Sequence, residues 1–298
     1  MSCPHLSPDS EPHERHLLFE SLGVSVVEFS CRAHVEPDGP EEPNPTHSIV
    51  LVRRGVFRRT WRGEACLADA NHVVFFNAAE PSRFSHPIPG GDDCTILAVE
   101  TQRAFELVAR HSPRDAQNPE TPFRVGHGLS SRRVARLHYE LLTRIRRRDA
   151  ALALDDALSE LADESVRVVY GTRHALQIRR TTPSAATRRR RRDLMEAVKL
   201  AINESLESPP RLGDLARSFG CSPFHLSRAF RETAGVSLRR YVQQLRARVA
   251  ADRLARGARD LTELALDLGY TDHSHLTNAF RREWGLPPSR FRALAGFR

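Results

Sequence analysis

The chain repeats itself. His225-Leu226-Ser227-Arg228-Ala229-Phe230-Arg231 returns as His275-Leu276-Thr277-Asn278-Ala279-Phe280-Arg281, displaced by 50 residues. At that offset the match runs on through Gly235/Gly285, Val236/Leu286, Arg240/Arg290 and Tyr241/Phe291. Upstream, Leu212, Leu215, Ala216 and Gly220 return as Leu261, Leu264, Ala265 and Gly269 at an offset of 49, so the second copy carries one extra residue in its turn. Each unit reads as a short amphipathic helix, a glycine turn and a second helix.

The residues suit a helix-turn-helix. Ala216 and Ala265 are small where two helices must approach closely. Gly220 and Gly269 take the positive φ that ends the first helix. Ser222, before Pro223 at the first helical position, and Asp272 cap the second helix. Within it, Leu226, Ala229 and Phe230 share one face, as do Leu276, Ala279 and Phe280. The opposite face then carries Phe224, Ser227, Arg228 and Arg231, and in the second copy Ser274, Thr277, Asn278 and Arg281. Such groups read base edges or hold phosphates. One such unit alone is a weak signal; two in register form a strong one. Between them, residues 237–256 lack Pro and Gly and read as a helix of about 30 Å. One DNA turn is roughly 34 Å, so the helix can place two recognition helices in successive major grooves.

Charge supports a nucleic-acid partner. The 298 residues carry 45 Lys+Arg against 37 Asp+Glu, a net charge of +8. From residue 188 onward the count is 22 against 12, and before it 23 against 25, so the whole basic excess lies at the C-terminal end. That is the footprint of a phosphate-binding domain. The run of arginines at 188–192, after Thr181-Thr182-Pro183-Ser184, reads as a flexible linker that adds nonspecific DNA attraction.

Other classes are excluded by motif. Lys199 is the only lysine and is followed by Leu200, so no phosphate loop exists. G-x-S-x-G and H-E-x-x-H are absent. Gly126-His127-Gly128 begins like a dinucleotide fingerprint, but Ser131 stands where the third glycine belongs, and the stretch reads as a loop. No apolar run reaches the roughly 18 residues of a membrane span, and the polar start has no signal-peptide core. Five cysteines (Cys3, Cys31, Cys66, Cys94, Cys221) form no C-x-x-C pair, and a reducing cytoplasm is expected.

The region before the repeat has a different period. Val24–Phe29, Ser48–Val52, Val56–Trp61, His72–Asn77 and Cys94–Val99 read as strands between turn signals, a small antiparallel barrel or sandwich. After residue 103, Val134, Leu137, Leu141, Leu142 and Ile145 mark one helix, and Leu154, Leu158, Leu161 and Val168 a second. That pair either packs on the barrel or supplies a homodimer interface. A catalytic cupin metal site needs clustered ligands, whereas His34, His47, His72 and His86 are scattered singly. Neither metal, nor cofactor, nor catalytic residue is therefore expected. The alternative is a metal or thiol-redox sensor built on Cys31, Cys66 and Cys94; an enzyme barrel fused to a DNA-binding domain comes last.

With the closing Gly285-Leu286-Pro287-Pro288-Ser289-Arg290-Phe291-Arg292, residues 193–296 resemble the DNA-binding domain of the AraC/XylS transcriptional regulators. The resemblance places Phe224, Ser227 and Arg228 at base-facing positions of the first recognition helix, and Ser274, His275 and Asn278 at those of the second. Asn278, where such proteins often carry arginine, can pair bidentately with adenine. The implied fold is α+β in two domains: a cupin-like β-barrel with appended helices, then an all-α tandem helix-turn-helix domain. The expected layout is a polar arm over 1–22, a sensing barrel over 23–102, a helical segment over 103–180, a basic linker over 181–192 and the DNA-binding domain over 193–298. Its implied partners are double-stranded promoter DNA, RNA polymerase and an unidentified small-molecule effector, with activation more common than repression.

Overall fold

The computed structural model describes residues 13–21, 23–32, 39–178 and 184–295. The expected arm at 1–12, His34, and Thr181-Thr182-Pro183 of the linker lie outside the described residues. The chain divides into two compact units, Met1–His127 and Gly128–Arg298.

In the first unit two antiparallel sheets share one core. Strands β1 (His13–Ser21), β2 (Val24–Cys31), β4 (His47–Gly55), β7 (His72–Phe76) and β9 (Asp92–Val99) form the larger sheet in the order β1-β2-β9-β4-β7, with β10 (His127–Leu129) at its edge. Strands β3 (Glu42–Pro43), β5 (Phe57–Trp61), β6 (Glu64–Ala68) and β8 (Pro81–Ser85) form the smaller one, in the order β3-β8-β5-β6. Register decides which side chains meet. Val50 pairs with both Val74 and Ile96, and Val52 with Cys94, so these point to one face. They join Phe57, Trp61, Cys66 and Ala68 of the smaller sheet in one apolar cluster. The alternate residues Ile49, Leu51, Val73 and Phe75 are buried too, so β4 and β7 are covered on both faces and read as continuous apolar runs.

Two expectations change here. The sheets do not close into a barrel; they remain separate, as in a sandwich. Part of the expected polar arm is structured: His13–Ser21 is an edge strand paired with β2, with one irregularity between Leu17 and Phe19. Its alternation is masked because its outer face is solvated and charged. Helix α1 (Thr101–His111) follows β9, burying Ala104, Leu107 and Val108.

The second unit is helical: α2 (Arg132–Arg147), α3 (Ala151–Ile178), α4 (Ala185–Glu204), α5 (Leu212–Ser218), α6 (Pro223–Ala234), α7 (Leu238–Ala255), α8 (Leu261–Asp267), α9 (His273–Trp284) and α10 (Pro288–Leu294). The expected linker is helical rather than flexible from Ala185 on. Ser184 caps it, accepting from the Thr187 N–H at 3.2 Å, and arginine is a good helix former. The helical segment also belongs elsewhere than expected: α2 and α3 lie in the same unit as the repeat. Tyr139 of α2 packs edge-on to Trp284 at 5.3 Å and to Phe291 at 5.4 Å. Ala135 and Tyr139 are part of the core around α7, α9 and α10.

Candidate nucleic-acid interface

The two repeats form as their residues dictate. Ala216 and Ala265 are buried, and Gly220 and Gly269 have φ of 62° and 69°. At Gly269 a Cβ would meet the Glu207 carbonyl oxygen at 1.7 Å, so this turn admits no side chain. Ser222 accepts from the His225 N–H at 3.1 Å and Asp272 from the His275 N–H at 2.8 Å. The Asp272 bond to His275 leads the causes holding that carboxyl below its ordinary range. Each cap satisfies a donor that the helix start leaves open.

Both recognition helices bury one face and expose the other. In α6, Leu226, Ala229 and Phe230 are buried; Phe224, at 75% exposure, Arg228 and Arg231 face solvent, and Ser227 is half-buried. In α9, Leu276 and Phe280 are buried and Ala279 half-buried; Ser274, His275, Asn278 and Arg281 are exposed, with Thr277 half-buried. Two of these side chains are already engaged. Arg228 Nε donates to Glu232 at 2.7 Å, a bond that raises its pKa, and Glu232 also takes Arg191 of α4 at 3.0 Å. His275 Nδ1 lies 3.2 Å from the Thr271 hydroxyl, with its ring edge-on to Tyr270. Glu232 engages only Nε of Arg228, so the four N–H donors of the two terminal nitrogens are the ones with which it can meet a base or phosphate.

Three residues on these faces escape the sequence reading. Arg282 is exposed beside Arg281, its Nε donating to the Asn278 carbonyl at 3.2 Å. His225 and His273 stand exposed in the first turns. The repeat itself signals His225, because it aligns with His275. The linker helix α7 runs 18 residues, about 27 Å, two residues shorter than expected. Its N-terminal half holds the first unit of the repeat, with Tyr241 edge-on to Phe230 at 5.3 Å, and Ala247 accepts the Trp284 indole N–H at 3.0 Å from the second.

The second recognition helix is fastened by a charge that sequence reasoning missed. Glu283, 4% exposed, takes Arg240 at 2.7 Å, Arg132 at 3.1 Å and Arg248 at 3.6 Å. These guanidinia come from α7 and α2, so one carboxylate fixes the azimuth of α9 against both. Its signal is slight: it is the only acid in α9, set between Arg282 and Trp284.

Inside the first unit the dispersed histidines acquire partners. His47 Nδ1 accepts from the Ala78 N–H at 3.1 Å, and burial lowers its pKa. His72 Nδ1 lies 2.9 Å from Asp69 and His86 Nε2 2.7 Å from Asp92. The three cysteines do not form one site. Cys31 groups with His86 and Asp92, Cys66 with His72 and His127, and Cys94 donates to Asp92 at 2.9 Å. Arg59 is fully buried between the sheets, its guanidinium donating to Phe75 O, Ser82 and Glu80 and lying over the Trp61 and Phe76 rings. Burial brings its pKa down to about 10 although Glu80 opposes the shift. Gly126-His127-Gly128 is no loop: it leads into β10, and a Cβ on Gly126 would meet the Trp61 ring at 2.1 Å.

Comparison with known proteins points the same way. The sequence family described as a helix-turn-helix domain matches residues 215–294. The regulatory protein SoxS of Salmonella typhimurium is 33% identical over 91 residues, 30% of this chain and 85% of its own length. The transcriptional regulator YfiF of Bacillus subtilis is 36% identical over 101 residues, and the match spans 32% of its length. The transcriptional activator RhaR of Mannheimia succiniciproducens is 17% identical over 281 residues, 94% of this chain and 95% of that one. Among solved structures, a Chromobacterium violaceum regulator with an AraC-type DNA-binding domain is similar at 25% identity and a TM-score of 0.33. That match covers 37% of this chain and 96% of that one. Among the described residues no helix is long and apolar enough to cross a membrane.

Proposed function

The chain belongs to the AraC family of DNA-binding transcriptional regulators, and we propose that it activates promoters in response to an effector bound by its first unit. The observation that carries the reading is the duplicated recognition face. Two capped helices expose Arg228 and Arg231, and Asn278 and Arg281, from buried backs fastened to one helix, α7. The bases are read by Phe224, Ser227, Arg228, Ser274, His275 and Asn278, while Arg231, Thr277 and Arg281 hold phosphates. Activation is the role that names RhaR, which is similar along nearly the whole chain, and an activating role implies contact with RNA polymerase. Two copies bind as a homodimer. The chain catalyses no reaction.

Footprinting of the full chain on duplexes from upstream of neighbouring genes tests this. Two adjacent protected major-groove segments on one DNA face are expected, strengthened by one of a panel of small metabolites. Uniform protection without sequence preference would refute the regulator reading. Protection that no metabolite alters, in vitro or in a reporter strain, would refute the effector response alone.

A further inference from the structure

Three strands bring one thiol and two imidazoles together on the inner side of the first unit. Cys66 lies in β6, His72 in β7 and His127 in β10, and one donor atom from each falls within 4.8 Å of the others. No spacing in the sequence reveals the group, since its members are contributed by three separate strands. Cys66 and His72 are buried at 0% and 2% exposure, and His127 is half-buried. The His72 and His127 rings stand 6.1 Å apart and tilted, and Trp61 meets His127 edge-on.

A second observation is the buried carboxylate that orients the His72 ring. Asp69, 1% exposed, sets Oδ1 2.9 Å from His72 Nδ1, and the same oxygen accepts from the Asn71 N–H at 2.9 Å. The Asp69 N–H also approaches Nδ1, at 3.2 Å. With the carboxylate as acceptor, the shorter contact assigns the proton to Nδ1, the tautomer in which Nε2 is the ligating nitrogen. A buried carboxylate behind a histidine is how proteins orient an imidazole for a metal ion.

We propose that Cys66, His72 and His127 bind a divalent late-transition-metal cation, with zinc(II) as the reference. The donor set is one thiolate sulfur and two neutral imidazole nitrogens, which suits zinc, cobalt or nickel and disfavours magnesium or calcium. Bonds of about 2.0 Å to nitrogen and 2.3 Å to sulfur require the three donors to draw in by roughly 1 Å, a movement within side-chain rotation. Three protein ligands would leave a fourth tetrahedral position for water or a small anionic ligand. The inference concerns binding alone and is independent of the DNA-binding reading.

The test is cobalt(II) titration of the full chain after chelator treatment and gel filtration. One equivalent of cobalt should produce the visible bands of a tetrahedral ion together with a near-ultraviolet thiolate-to-cobalt band, and zinc should displace both. Cys66→Ser should remove the thiolate band, and Asp69→Asn should weaken affinity by about 10- to 100-fold without removing it. Because Cys66 and His72 sit in the core, His127→Ala supplies a variant at a half-exposed position, and it should also lower affinity steeply. Cys31→Ser, in the other cysteine group, should change nothing. No cobalt bands on the parent protein would overturn the proposal. So would bands that survive in Cys66→Ser and disappear in Cys31→Ser.

Discussion

Glu283 offers the sharpest test of how the second recognition helix is held. Its carboxylate is almost wholly buried and faces three guanidinia, of which Arg248 is 4% exposed and Arg132 and Arg240 are 49% and 31% exposed. In Glu283→Ala the two outer arginines turn to water at little cost, so their ion pairs are heavily discounted. Arg248 cannot do so. It keeps its bond to the Ser130 carbonyl at 3.0 Å, but its charge loses the buried carboxylate that it shares with the other two arginines. Breaking a buried pair by removing one partner costs about 3–5 kcal/mol, and we take about 2–4 kcal/mol after the partial exposure of the node. For a folding unit of this size each kcal/mol moves the melting temperature by about 2–4 °C, so a fall of roughly 5–15 °C is expected. Glu283→Gln keeps the shape and one acceptor and should lose about half as much. Circular dichroism melts of the full chain read the first quantity. Footprints read the second, with protection at the second half-contact failing before the first. If both variants melt within about 1 °C of the parent, Glu283 does not hold α9 and the reasoning fails.

Three further outcomes follow from the same geometry. Glu80→Ala removes the carboxylate facing fully buried Arg59 and exposed Arg62; it should destabilise the first unit by about 3–5 kcal/mol, and an unchanged denaturant midpoint would refute this. Arg228→Ala should weaken specific binding by roughly 10- to 100-fold and relax preference at one base pair; equal weakening on all duplexes would make Arg228 a phosphate anchor instead. Burial acts to lower the His86 pKa, but the hydrogen bonds to Asp92 and Cys31 outweigh it and raise it to about 9. Its stabilisation, on the order of 3 kcal/mol, is therefore complete below about pH 6.5 and lost as pH rises through about 9. Chemical denaturation of parent and His86→Gln across that range should converge at the alkaline end, and parallel curves would refute the assignment.

What the sequence revealed was what repeats or alternates. Ala216, Gly220, Ser222 and their partners fixed the turns and caps because each is a local requirement met within a few residues. The strands at Ser48 and His72 showed because a doubly covered strand is a continuous apolar run, and those at Val24 and Cys94 through their β-branched and apolar residues between turn signals. Strand β8, Pro81-Ser82-Arg83-Phe84-Ser85, did not show, since its polar residues are matched by Arg59 and Glu41 rather than by any pattern of its own. The arginines after Ser184 looked like a solvated linker because like charge hides good helix propensity, and Arg191 finds Glu232 only through the fold. Glu283 stayed hidden because its arginine partners are far away in the sequence, and the Cys66–His72–His127 group because its members sit on three strands and His127 is distant from the other two. Periodicity reports on faces, and it is silent on which distant faces meet.

That limit bears on how far net charge predicts binding. With the division after His127, the first unit holds 12 Arg against 18 Asp+Glu and the second 33 Lys+Arg against 19, net charges of −6 and +14. Taken as a phosphate footprint, +14 implies a very steep salt dependence. The structure shows much of it spent internally. Arg132 and Arg240 hold Glu283, Arg133 holds Glu160, Arg146 and Arg147 donate to carbonyls at the end of α10, and Arg246 donates to the Leu206, Glu207 and Gly269 carbonyls. Arginines that face outward from the recognition helices are fewer: Arg228, Arg231, Arg281 and Arg282. Exposed Arg189 and Arg190 on α4 add to them. At about 0.9 of log-log slope per phosphate neutralised, these six give a slope of roughly −5, and affinity should fall about 10³-fold between 50 and 200 mM salt. Fluorescence anisotropy on one specific duplex measures it. A slope near −12 would mean that the internal arginines leave their partners to meet DNA, and the fold described for the second unit would not be the one that binds.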